Sequence, residues 1–117
     1  MRDSTMRLRE LTVRYSVKKD SDGLPIPIGR LVKHPHEAAA ALMRLFHDEA
    51  VEVFGVLCLS TKYHVIAYHE VSRGTINTTL VNPREVFQVA LLANAASLVV
   101  GHSHPSGDPR RALMTRS

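Results

Sequence analysis

Val51-Glu-Val-Phe-Gly-Val-Leu-Cys-Leu59 is apolar at nearly every position, with Glu52 and Gly55 as the exceptions. A strand with one wet face alternates between apolar and polar residues. One that does not alternate is covered on both sides, so Val53–Leu59 reads as a central strand between two layers. Ser60-Thr-Lys62 can turn the chain, and Tyr63 to His69 then returns as a second strand, which makes a hairpin.

Helices are expected on either side of this hairpin. Upstream, Pro35 suits a first helical turn, and residues 36–47 hold four consecutive alanines followed by Leu42, Met43, Leu45 and Phe46. Downstream, Asn82 can cap, Pro83 suits the first position and Glu85 can reach back, so a helix is expected over 83–94. Ser97-Leu-Val-Val-Gly101 follows as a short buried strand ending in His102-Ser-His-Pro105. Arg73-Gly-Thr-Ile-Asn77 reads as a looser connection leading to a short strand through Leu80 and Val81. Near the start, Leu11-Thr-Val-Arg-Tyr-Ser-Val17 alternates apolar and polar residues, the pattern of a half-buried edge strand. Pro25 and Pro27 keep the next segment out of any central ladder. The element order predicts an α/β sandwich with a mixed sheet, in which the hairpin supplies antiparallel pairs and the helical crossover a parallel one.

Composition sets the outer bounds. A chain of 117 residues fits one domain, and 44% hydrophobic with 22% charged residues excludes a disordered class. Lys and Arg outnumber Asp and Glu by 15 to 11, with the excess at the two ends. Arg2, Arg7, Arg9, Arg14, Lys18 and Lys19 open the chain; Arg110, Arg111 and Arg116 close it. Basic ends can touch nucleic acid, although no aromatic stacking set accompanies them. The single cysteine, Cys58, excludes an intrachain disulfide and a cysteine-based zinc site, and its apolar surroundings make it a core residue. No signal peptide or membrane-spanning stretch is recognisable, so the expectation is a cytoplasmic protein without membrane contact.

His102 and His104 carry the chemistry. Two residues apart at a strand end, they project to one face with Cα atoms roughly 6.5–7 Å apart, and two imidazoles so placed can converge on one metal. Gly101 leaves room before them and Pro105 stops the strand. His34, His36, His47 and His64 lack such pairing and read as surface or helix-end residues.

Four blocks place this pair in a wider context. Gly101-His-Ser-His-Pro-Ser-Gly-Asp-Pro109, Val81-Asn-Pro-Arg-Glu-Val86, Glu52 to Leu59 and Arg73-Gly-Thr-Ile76 stand in the order and spacing found in RadC-like proteins. Over residues 35–109 the chain resembles that branch of the JAMM/MPN metal-dependent hydrolases. The resemblance implies a cytidine-deaminase-like α/β/α sandwich and a zinc site that hydrolyses peptide or isopeptide bonds. It assigns His102 and His104 as zinc ligands and Glu52 as the carboxylate that takes a proton from the metal-bound water, whose pKa zinc lowers toward about 7. Glu70 is the alternative carboxylate, though a solvated strand end suits it better. The DNA-repair label attached to the family adds a nucleic-acid-associated module as the alternative function.

The chain departs from the pattern past the second histidine. The family's oxyanion-stabilising serine and its aspartate ligand fall at Ala112 and Thr115. Alanine offers no donor, and threonine is a poor zinc ligand. Asp108, or a residue of another chain, is the alternative third ligand, although the resemblance gives Asp108 a turn-forming role; His69 and Glu70 could serve only if the sheet order brings them near. The family continues through another helix and further strands, so the expectation here is a fold incomplete at the C-terminus. Residues 1–30 then form an N-terminal extension with its edge strand, and 31–117 a partial domain. Zinc is expected to be held weakly or not at all, and an uncovered core to promote self-association.

Overall fold

Alternation along the central strand decides the layering. In β1 (Val53–Leu59), Val53, Leu57 and Leu59 join one core cluster, while Val56 and Cys58 join a second. The first cluster is closed by Ala38, Ala41, Leu42, Leu45 and Phe46 of helix α1 (Pro35–Phe46). The second is closed by Val86 and Ala90 of helix α2 (Pro83–Leu92). The sheet therefore has a helix on each face, an α/β/α sandwich. The computed structural model describes residues 4–46, 49–74 and 83–103, and the backbone of 109–116.

Three further strands complete the sheet: β2 (Val65–Arg73), β3 (Ser97–Ser103) and β4 (Pro109–Arg116), in the order β2-β1-β3-β4. The expected parallel pair is not among them, because every pairing of described strands is antiparallel. The reason is topological. β2 and β3 do run the same way across the α2 crossover, but β1 lies between them and pairs with both. The tail forms β4 along the edge of β3, from Ser97↔Arg116 to Ser103↔Pro109.

Local chemistry explains the element ends. Ser60 makes the hairpin turn: its Oγ accepts from the N–H groups of Lys62 and His64 at 3.2 and 3.1 Å, and Tyr63 takes the left-handed φ of 61°. The second strand starts at Val65 and runs to Arg73, four residues beyond the expected His69. Arg73 is anchored there by hydrogen bonds to Glu49 at 2.6 and 3.0 Å and to Glu70 at 2.7 and 3.2 Å. α2 stops at Leu92, where Asn94 adopts a φ of 55° and Ala95 donates to Ala90 O at 2.9 Å, a left-handed helix cap. The expected Asn82 cap and the strand through Leu80 and Val81 lie outside the described residues, as does His47.

Leu11–Val17 forms no strand, contrary to the alternation in its sequence. Among the described residues no backbone hydrogen bond joins residues 11–17 to any ladder, and a strand without a ladder does not persist as secondary structure.

Two weak acids, Cys58 in the core and the half-buried Tyr68, give the fold an alkaline limit. Burial, with Glu70 and Glu49 close by, holds the Tyr68 phenol well above its ordinary 10.0, and burial pushes the Cys58 thiol above 9.0. Both pKa values are raised on folding, so their contribution is complete below the unfolded values and is lost as the pH climbs through them. The urea midpoint is expected to fall from about pH 9 upward, and Tyr68→Phe to flatten that fall. A midpoint level to about pH 11 contradicts this assignment.

Candidate functional site

The end of the sheet where β1 begins, β2 finishes and β3 finishes gathers the polar side chains. Phe54 of β1 is in register with His102 of β3 on one side and Ser72 of β2 on the other. Residues directly opposite in an antiparallel pair share a face, so Ser72, Phe54 and His102 form one row. Phe54 packs against the cluster that α2 closes, which puts the row on the α2 face. Glu52, half-buried, stands two residues before Phe54. Alternation carried back from Phe54 assigns it to the same face as His102. Its backbone is fixed, since Gly74 N–H donates to Glu52 O at 2.8 Å.

The residue between the two histidines fastens this end of the sheet. Ser103 is fully buried, and its Oγ accepts from Val53 N–H at 3.0 Å. That bond ties the last residue of β3 to the first of β1 and sets the strand end from which His102 projects to the other face. Sequence reading passes over Ser103. Its only signal is a small polar residue at the alternate position of a His-x-His motif. Ser72 is also missed: its Oγ is buried and finds no hydrogen-bond partner among the described residues.

The other candidates separate from this row. His104 and Asp108 lie outside the described residues. Glu70 is not at a solvated strand end. It sits within β2 opposite Gly55, on the α1 face, and its carboxylate is engaged by Arg73. It therefore lies on the far side of the sheet from His102. His69 shares the α2 face but is paired with Val56, and the whole of β1 separates it from β3. His34 and His36 stack on each other at the start of α1, with ring centroids 5.6 Å apart, as exposed residues. Among the described residues no three His, Cys, Asp or Glu side chains are grouped for a metal.

Register also places the two positions where the motif departs. Residue 112 pairs with Gly101, next to His102, and residue 115 pairs with Leu98. Leu98 stands four positions before His102, a distance of roughly 13 Å along the strand. Position 115 is thus remote from the histidine end whatever residue occupies it.

The family model of the RadC-like JAB domain matches residues 32–113. The chain is similar to a UPF0758 protein of Desulforamulus reducens, 38% identical over 86 residues, which is 74% of this chain and 38% of that protein. A UPF0758 protein of Shewanella pealeana is 43% identical over 79 residues, 68% of this chain and 35% of its own length. One from Xanthomonas oryzae pv. oryzae is 38% identical over 89 residues, 76% and 40% respectively. The chain spans well under half the length of these curated relatives. No helix among the described residues is long and apolar enough to cross a membrane.

Proposed function

The chain belongs to the RadC-like JAB domain family, and from that premise we propose that it carries a zinc-hydrolase site of the metallopeptidase class, impaired for want of a full ligand set. His102 and His104 are the residues that would hold the metal, and Glu52 is the carboxylate that would serve a water bound to it. Register supports the reading. His102 and, by alternation, Glu52 occupy one face at one end of the sheet, while position 115 stands opposite Leu98.

The donor set fits zinc only in part. In the row of His102 the described residues supply one imidazole and, by alternation, one carboxylate, and the motif adds the imidazole of His104. Catalytic zinc sites use three protein ligands and a water. Two imidazoles without a third ligand hold the ion weakly and leave its geometry unset. Hydrolysis through a firmly held metal therefore does not follow from these residues.

Zinc content tests this directly. After dialysis against metal-free buffer, elemental analysis is expected to find well under one zinc per chain, with His102→Ala lowering the trace further. Near-stoichiometric zinc that disappears in His102→Ala would overturn the reading. It would mean that Asp108, or a residue of another chain, completes the site.

A further inference from the structure

A cavity of about 740 Å³ lies between α1 and the turn around Asp20, on the side of the sheet that α1 covers. Small-molecule pockets run about 300–1,000 Å³. His102 and Phe54 face the other side, so the histidine row contributes nothing to this space.

Local sequence accounts for both walls. Ala40, Met43 and Arg44 stand at i, i+3 and i+4 of α1 and share one side of the helix. A residue as small as alanine at 40 leaves the space open. The facing wall is a closed turn. Ile26 N–H donates to Lys18 O at 3.1 Å, Asp20 N–H to Leu24 O at 2.8 Å, and Gly23 N–H, at a φ of 81°, to Asp20 O at 3.0 Å. These bonds hold the backbone that carries Lys18 and Lys19. Arg44 spans the two walls, its Nη1 donating to Pro27 O at 3.5 Å.

Two chemistries line the space. Ile26, Pro27, Ala40, Met43 and Leu45 make an apolar floor. Leu45 belongs to the core cluster that α1 closes and Ile26 packs against it, so the floor is firm there, while the flexible Met43 can adapt to what it meets. Lys18, Lys19 and Arg44 supply cations. Among the described residues none of the three is in an ion pair.

Asp20 and Glu49 also border the cavity, but each is directed elsewhere. Asp20 Oδ1 accepts from the N–H groups of Asp22 and Leu24, both at 2.9 Å. Glu49 gives both carboxylate oxygens to Arg73, at 2.6 and 3.0 Å. What remains to meet a ligand is positive charge beside an apolar floor. Pro27 occupies one of the N–H donors of the Arg44 guanidinium and leaves the others for an anion. A purely apolar ligand would leave the three cations unmatched, and a bare inorganic anion would leave the floor uncovered. We propose that this cavity binds a small anionic amphiphile, with its charged head on Lys18, Lys19 and Arg44 and its apolar body on Ile26, Met43 and Leu45.

Anilinonaphthalene sulfonate, a fluorescent aromatic anion, tests this on the full chain, beside phenylnaphthylamine, which has the same rings and no charge. The anion is expected to bind saturably, and the neutral amine about tenfold more weakly. Lys18→Gln/Lys19→Gln/Arg44→Gln is expected to weaken the anion about tenfold, the effect of losing three partly exposed charge contacts. Arg30→Gln/Lys33→Gln/Lys62→Gln removes the same charge from exposed positions outside the cavity and is expected to leave binding unchanged. Ala40→Phe puts a ring into the space from an exposed helical position and is expected to abolish binding with circular dichroism unchanged. Equal binding of anion and amine overturns the proposal. So does an anion that ignores the cavity triple variant or Ala40→Phe, or one weakened equally by the outside triple variant. Loss of binding in Phe87→Ser/Leu91→Ser overturns it too, since it would place the probe on the outer face of α2, where those residues are 59% and 80% exposed.

Discussion

Gly55→Val is expected to lower the melting temperature by roughly 12 °C or more, the equivalent of about 3 kcal/mol in a domain of this size. Gly55 sits within β1 on the α1 face, in register with Glu70. The ring and hydroxyl of Tyr68, from the neighbouring strand, occupy the space a side chain at Gly55 would need. Tyr68 has little freedom to leave. Its ring meets Phe46 edge-on at 6.4 Å, and Phe46, the last residue of α1, is fully buried. A valine at 55 must therefore displace the ring and uncover Phe46, or push β1 and β2 apart. Thermal melts followed by circular dichroism supply the check, with Gly55→Val/Tyr68→Ala as the partner variant. Removing the ring makes room, so the pair should lose less than the sum of the two single losses. A Gly55→Val chain that melts like its parent contradicts this packing.

Hydrolysis of peptide and isopeptide substrates is expected to run at least about 10²–10³-fold below that of a JAB domain with the complete motif, on the missing oxyanion donor alone. The weak metal retention proposed above would add to that loss at a different step. Restoring the missing residue types with Ala112→Ser and Thr115→Asp is expected to recover neither zinc nor turnover. β4 carries residue 115 to the level of Leu98, roughly 13 Å along the sheet from His102. An aspartate there cannot join the histidines without unpairing the strand. Side-by-side assays of parent, double variant and His102→Ala decide the matter. If the double variant gains zinc and turnover that His102→Ala removes, then the β3–β4 pairing does not hold in solution.

The elements with strong local signals were readable without any tertiary information. Val53–Leu59 is apolar on both faces because a layer covers each, and it lies inside the sheet with a strand on either side. Pro35 and the alanine run specify α1, and Cys58 is buried as its surroundings imply. The family signature was also carried by short contiguous blocks, which survive as a pattern whatever the chain does around them.

Pairing depends on which strands meet, and sequence periodicity is silent about that. The placement of β1 between β2 and β3 removed the expected parallel pair. The same arrangement put Glu70 and His102 on opposite faces, although each reads in sequence as a polar residue of a strand. Leu11–Val17 shows the converse: seven residues with a clear strand pattern stay outside the sheet, because alternation describes which faces a strand presents and not whether a ladder receives it. The tail, without a signal of its own, became β4 because the edge of β3 offered unpaired backbone groups. Local sequence thus determined the faces, the turns and the residue types at the histidine end. Strand order and register, set by hydrogen bonding between distant segments, decided which of those residues stand together.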